Sequence, residues 1–99
     1  MPNPTLEFHP LADEEVAEVV AWYADRSVRA AEGFLMELDR AIDSVLETPR
    51  RWALGRFGVR RYLLHRFPFA LVYREKGEVI EVIAVAHFRR RPGYWRSRL

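Results

Sequence analysis

The sequence predicts a single α+β domain with elements in the order β-α-α-β-β-β. Three observations carry that expectation. Apolar residues recur at helical spacing from about residue 10 to Glu47, and the pattern changes at Pro49. After Pro49, runs of β-branched and small apolar residues alternate with turn residues. Ninety-nine residues, 49% apolar and 30% charged, suffice for one modest core. The expected architecture is an N-terminal strand and a two-helix hairpin packed on a small, mostly antiparallel sheet. A basic C-terminal tail follows, with residues 1–99 as one unit.

Taken in order, Thr5 and Glu7 alternate with Leu6 and Phe8, which suits a short strand with one buried face. Pro10 fits a first helical turn, and Asp13, Glu14 and Glu15 complement the positive end of the helix dipole. Ala12, Val16, Val19, Val20 and Tyr23 then give a first helix over roughly residues 10–26. Ser27 is placed to cap a second, whose apolar stripe is Ala31, Phe34, Leu35, Leu38, Ile42 and Val45. Pro49 stops it near Glu47. Gly33 in mid-helix costs stability, so close packing against the first helix is expected there. The helix carboxylates, at i, i+3 and i+4 spacings, read as a solvated face.

"RRWALGRFG" is a loop, and three strand-like runs follow: "VRRYLLHRF", "FALVYRE" and "VIEVIAVAHF". Lys76-Gly77 marks a hairpin turn between the second and third of these. The last run is nearly all apolar apart from Glu81, as in a central strand covered on both faces. Pro68 belongs at the start of a strand or on an edge.

Several chemistries are excluded. There are no cysteines, hence no disulfide, zinc–thiolate site or thiol nucleophile. No G-x-S-x-G elbow, G-x-G-x-x-G loop or P-loop is present. His9, His65 and His87 lack ligand spacing, so no metal and no cofactor is expected. The N-terminus shows no signal-peptide pattern, and no apolar run approaches the roughly 20 residues that cross a bilayer. A cytoplasmic chain with no membrane partner is expected.

What remains is arginine with aromatics. Residues 1–49 carry three basic and eleven acidic residues, a balance of −8; residues 50–99 carry thirteen and three, a balance of +10. All the basic residues except Lys76 are arginine, which makes planar bidentate contacts to phosphate and carboxylate. Arg60, Arg61 and Arg66 flank Tyr62 and His65, and the tail adds Arg89, Arg90, Arg91, Arg96 and Arg98 around Tyr94 and Trp95. Both groups are expected to line one concave sheet face that grips a polyanion or an acidic protein. Adjacent like charges repel and add little to folding, so Arg89, Arg90 and Arg91 point to function. Tyr62 and Tyr73 read as half-buried packing residues, and Trp22, Trp52 and Phe57 as core or partner-facing ones. His87 reads as a structural histidine beside the cluster.

The segments "EFHPLADEEVAEVVAWYADRS", "GFLMELDRAIDSVLETP", "GVRRYLLHRFPFALVYRE" and "VIAVAHFRRRPGYW" together resemble the RelE/ParE toxin superfamily of type II toxin–antitoxin systems. The resemblance implies a plasmid-stabilisation-type toxin and a helical hairpin on a small antiparallel sheet. It also implies a cognate antitoxin, in a toxin–antitoxin hetero-oligomer. RelE-like members cleave ribosome-bound mRNA with basic residues and a C-terminal tyrosine; characterised ParE-like members inhibit DNA gyrase. Ala70 and Phe88 stand where the nucleases carry arginine, whereas Tyr94 and Arg90 fall at nuclease-like positions. "HRFPF" and the "AH-x-R-R" ending favour the ParE-like branch.

The expectation is thus a gyrase-binding toxin that uses Arg89, Arg90, Arg91 and Tyr94, without catalysis of its own. Trp95, Arg96, Arg60 and Arg61 are assigned to an acidic, amphipathic antitoxin segment. The alternative is a ribosome-dependent endoribonuclease with His87, Arg90 and Tyr94 as its chemistry. A third reading is a non-toxic antitoxin-binding module.

Overall fold

Helical and extended segments alternate in the computed structural model as the periodicities require. It describes residues 4–99, so the first three residues of the expected domain lie outside the described part. β1 (Thr5–Phe8) leads into α1 (Pro10–Ala24) and α2 (Val28–Glu47). β2 (Arg60–Leu63), β3 (Phe69–Lys76) and β4 (Val79–His87) follow, and a short 3-10 turn, Arg96–Arg98, closes the tail. The sheet order is β1-β4-β3-β2. β4 and β3 pair antiparallel, as do β3 and β2, while β1 runs parallel to β4. The apolar run of β4 is therefore a central strand, and the mixed sheet carries one parallel pair.

Local chemistry sets the helix boundaries. The His9 imidazole accepts a hydrogen bond from the Leu11 N–H, and Pro10 fills the first turn, where no amide donor is needed. Ser27 has extended backbone geometry and its hydroxyl accepts from the Ala30 N–H at 3.1 Å. Ser27→Ala should cost about 1 kcal/mol. It should appear as a lower urea midpoint with an unchanged m-value; an unchanged midpoint would show that the capping bond contributes nothing.

Two cores form, one on each sheet face. The larger lies under the helices, where Phe34, Leu38, Ala41 and Val45 of α2 meet Leu71, Tyr73, Ile80 and Val82 of the sheet. Leu35 of the expected stripe is instead 40% exposed, and Ala41 takes the buried place, because the helix turns that position outward. Tyr73 is fully buried rather than half-buried, and its hydroxyl donates to the Pro49 carbonyl at 2.7 Å. Burial pushes that phenol up to about 12. Gly33 does not face α1. A Cβ there would come within 3.5 Å of the Phe67 ring, so the close approach belongs to the β2–β3 loop.

The second core, on the opposite face, comprises Val59, Val72, Ile83, Ala84, Ala86 and Trp95, with Tyr94 packed beside it. A β-bulge makes it possible. Val72 pairs with Ala84 and Tyr73 with Val82, which leaves Ile83 as an extra residue in β4. Val82 before the bulge and Val85 after it both reach the helix-side core, while Ile83 and Ala84 both belong to the other.

Candidate functional site

The site is built on β4 where it outruns its neighbour. β1 ends at Phe8, opposite Val82, and His9 donates to the Val82 carbonyl. Beyond that point, among the described residues, the β4 edge has no strand beside it. Glu15 of α1 fills the gap: its Oε1 accepts from the Val85 N–H at 3.0 Å. The tail folds back to the same carboxylate. Tyr94 donates its hydroxyl to Oε2 at 2.6 Å, and Arg98 donates through both terminal nitrogens at 2.9 and 3.1 Å. Arg98 also donates to the bulge carbonyl of Ile83 at 3.0 Å. Both ions are largely buried, with side chains 10% and 12% exposed. Glu15 is therefore a structural anchor, not a residue of a solvated face.

A second carboxylate also departs from that expectation. Glu37 is buried at 8% exposure, accepts from the amides of His65 and Arg66, and pairs with the Arg66 guanidinium at 3.6 Å. It fixes the loop between β2 and β3. Neither carboxylate stands out in the sequence, because each lies at a spacing common to exposed helix residues.

With the tail folded back, several expected site residues gather. Arg61, His87, Phe88, Arg90, Arg91 and Tyr94 line one small cavity of about 220 Å³ over the second core. Arg90 lies over the Tyr94 ring, its guanidinium 3.7 Å from the centroid. Arg89, Arg90 and Arg91 are exposed, and among the described residues neither they nor Arg61 and Arg96 pair with a carboxylate. Arg96 instead covers the Phe57 ring at 4.3 Å. Phe57 holds a left-handed backbone, φ 64°, with the Trp95 ring edge-on at 6.3 Å.

The two arginine groups do not share one face. Arg60 and Tyr62 point to the helix side, where Arg60 donates to the Trp52 carbonyl and Tyr62 packs on Trp52 at 4.9 Å. His65 stacks on Tyr62, and Arg66 is bound to Glu37. Only Arg61 joins the tail cluster, because successive strand residues face opposite ways. Trp95 is 7% exposed and roots the tail in the second core. As an antitoxin contact it would offer only its rim.

The proton chemistry of the gathered residues is constrained. The Tyr94 hydroxyl is committed to Glu15, and burial, then that hydrogen bond and the carboxylate charge, hold its phenol far above the ordinary range. His87 accepts the Arg89 N–H at Nδ1, 3.0 Å, and meets the Phe69 ring edge-on. It also borders an apolar groove of about 440 Å³ between α1 and the sheet, beside Trp22, Tyr23 and Phe69. Trp22 is 54% exposed there, its ring covered by Arg26 at 3.6 Å. Among the described residues no cluster of three or more His, Asp or Glu could hold a metal, and no helix is long and apolar enough to cross a membrane.

The ParE toxin profile (ParE toxin of type II toxin–antitoxin system, parDE) matches residues 6–92, from β1 through the arginine cluster. The chain belongs to the ParE toxin family. It is thus the toxin component of a type II toxin–antitoxin system. A chain of the chromosomal ParDE TA system from P. aeruginosa is similar to this ParE-family chain in fold, with TM-score 0.76 at 17% identity. The match covers 86% of this chain and 96% of that one. Among curated proteins a sequence search finds no match. The profile ends at Pro92, so the ParE match includes Arg89, Arg90 and Arg91 but not Tyr94, Trp95 and Arg98.

Proposed function

We propose that this ParE-family toxin arrests growth by binding DNA gyrase through Arg61, Arg89, Arg90 and Arg91, with Tyr94 holding Arg90 in place. A cognate antitoxin that presents an acidic, amphipathic segment would neutralise it, in the cytoplasm where both partners work. The observation that carries this reading is an exposed arginine group that has no carboxylate partner among the described residues, beside a tyrosine whose proton is already engaged by Glu15. Cleavage of RNA by its 2′-OH needs a base and an acid as well as charge stabilisation. Arginine supplies only the last of these at neutral pH. The gathering of His87, Arg90 and Tyr94 around one cavity is what favours the nuclease alternative.

Purified toxin should inhibit gyrase supercoiling or trap gyrase-cleaved DNA, and leave messages translated in a reconstituted system intact. Codon-phased cuts in ribosome-bound RNA, with gyrase unaffected, would replace this reading by the nuclease one.

A further inference from the structure

Three cavities meet around the β2 edge of the sheet. The small one over the second core shares Arg61, Gly93 and Trp95 with a cleft of about 470 Å³ that also takes in Trp52, Arg56 and Leu63. That cleft shares Trp52 and Leu63 with a third, of about 440 Å³, bordered by Arg51, Tyr62 and His65. β2 is the outermost strand on this side, Trp52 packs on the helix-side core and Trp95 belongs to the other. The cavities therefore form one continuous track that bends around the sheet edge from one face to the other.

The lining of this track has a consistent chemistry. Arg51, Arg56, Arg61, Arg90 and Arg91 border it, all exposed and none in an ion pair among the described residues. Among the described residues no aspartate or glutamate lines any of the three cavities. By contrast, the apolar groove beside α1 includes Glu18, and a cavity beside Pro4 includes Asp43 and Glu47. Aromatic rings alternate with the cations. Arg51 stands over Trp52 at 5.6 Å, Arg56 over Phe57 at 5.2 Å and Arg90 over Tyr94 at 3.7 Å. The Tyr62 and His65 rings lie 7° from parallel with centroids 6.2 Å apart, so a flat ring stacked on one is parallel to both.

We propose that this track binds single-stranded nucleic acid, with phosphates on the arginines and bases stacked on the rings. Charge alone would suit an acidic peptide equally well. The rings decide between the two, because every base offers a flat π-face and a glutamate side chain offers none. The bend decides between one strand and two. A duplex is stiff over about 150 base pairs, so it meets the arginines of one face and passes the edge by. It also keeps its bases paired inside, away from Trp52, Tyr62 and His65. A flexible single strand follows the edge and opens its bases to those rings. The inference goes beyond the gyrase reading and does not rest on it.

The probe is a fluorescein-labelled oligothymidylate about eight nucleotides long, titrated with the full-length protein and followed by anisotropy. Its affinity should fall as salt rises, with a slope of log K against log salt of about −2 to −3 for three or four phosphate contacts. Arg51→Ala and Arg56→Ala should each weaken binding about threefold or more and flatten that slope by about 0.7. His65→Ala should weaken it about fivefold or more with the slope unchanged, which marks a lost stack and not a lost charge. All three residues are exposed and lie outside the group assigned to gyrase, so melting temperature and gyrase inhibition should stay as in the parent. Whichever of oligothymidylate and oligouridylate binds more tightly names DNA or RNA as the source of the strand. Equally tight binding of a duplex of the same length, or displacement of the probe by an equal concentration of oligoglutamate, would overturn the proposal. So would folded variants that all bind as the parent does. If the parent binds the probe in this pattern and leaves gyrase active, the gyrase reading falls and the track stands. If it inhibits gyrase and does not bind the probe, the reverse holds.

Discussion

Glu15→Ala will lower the melting temperature of this toxin by at least about 12 °C. One carboxylate serves the Val85 amide, the Tyr94 hydroxyl and the Arg98 guanidinium, in surroundings that leave only about a tenth of either ion exposed. Its loss leaves a largely buried guanidinium without its counter-charge and two polar groups without partners. Breaking one side of a buried pair costs about 3–5 kcal/mol. For a domain of this size each kcal/mol moves the midpoint by about 4–8 °C. Glu15→Gln should fall between, since its amide oxygen accepts from one or two of the three donors and the charge is gone. Arg98→Met removes the other ion with similar volume and should cost less, because the remaining carboxylate still serves Tyr94 and Val85. A calorimetric scan in which all three variants melt with the parent would show that the tail is not held by this network.

The largest functional effect should come from replacing Arg89, Arg90 and Arg91 together by alanine. Growth inhibition should disappear in a strain that expresses the toxin from a tight promoter. Arg89 and Arg91 are exposed, and substitutions of that kind stay within about 0.5 kcal/mol. Arg90 stacks on Tyr94, so its removal should cost about 0.5–1 kcal/mol more. Each arginine that becomes desolvated at a target interface can contribute about 2 kcal/mol or more, so losing three removes most of a typical affinity. Circular dichroism separates the outcomes. A folded but harmless triple variant supports the cluster as target contact; a folded and fully toxic one places the contact elsewhere, and an unfolded one makes the cluster structural.

The helices and strands were legible because their signals are local. Ser27, Pro49 and Gly77 punctuate the chain by their own backbone preferences, and the bounds of α2 follow from the first two. The order of β4 in the sheet was legible from its nearly continuous apolar run, interrupted by Glu81. The tail's role was not. Its anchor is a glutamate 83 residues away, in a helix where Asp13, Glu14 and Glu18 look the same in sequence. The bulge at Ile83 is also invisible to pattern, since apolar residues on either side of it satisfy both faces whatever the phase. The division of Arg60 from Arg61 was in principle readable, because adjacent strand residues face opposite ways. It needed the knowledge that "VRRYLLHRF" keeps strand geometry only from Arg60 to Leu63.

Stacking the helices on one face of the sheet turned an asymmetry along the chain into one across the molecule. The acidic half supplies both helices, and among the described residues Arg56, Arg61, Arg90, Arg91 and Arg96, which make no ion pair, lie on the other face or its rim. The thinnest dimension is 22 Å. At physiological ionic strength charge is felt over about 8 Å, so an approaching partner senses the face it meets and not the layer behind. A molecule whose formal charge is only +2 therefore presents itself as a strong cation from one side and an anion from the other. In very dilute salt, where the range grows to about 30 Å, the two layers cancel at a distance and leave a near-neutral particle with a large dipole moment. The usual intuition, that charge-driven recognition is strongest in the lowest salt, then applies to this protein's orientation more than to its net attraction.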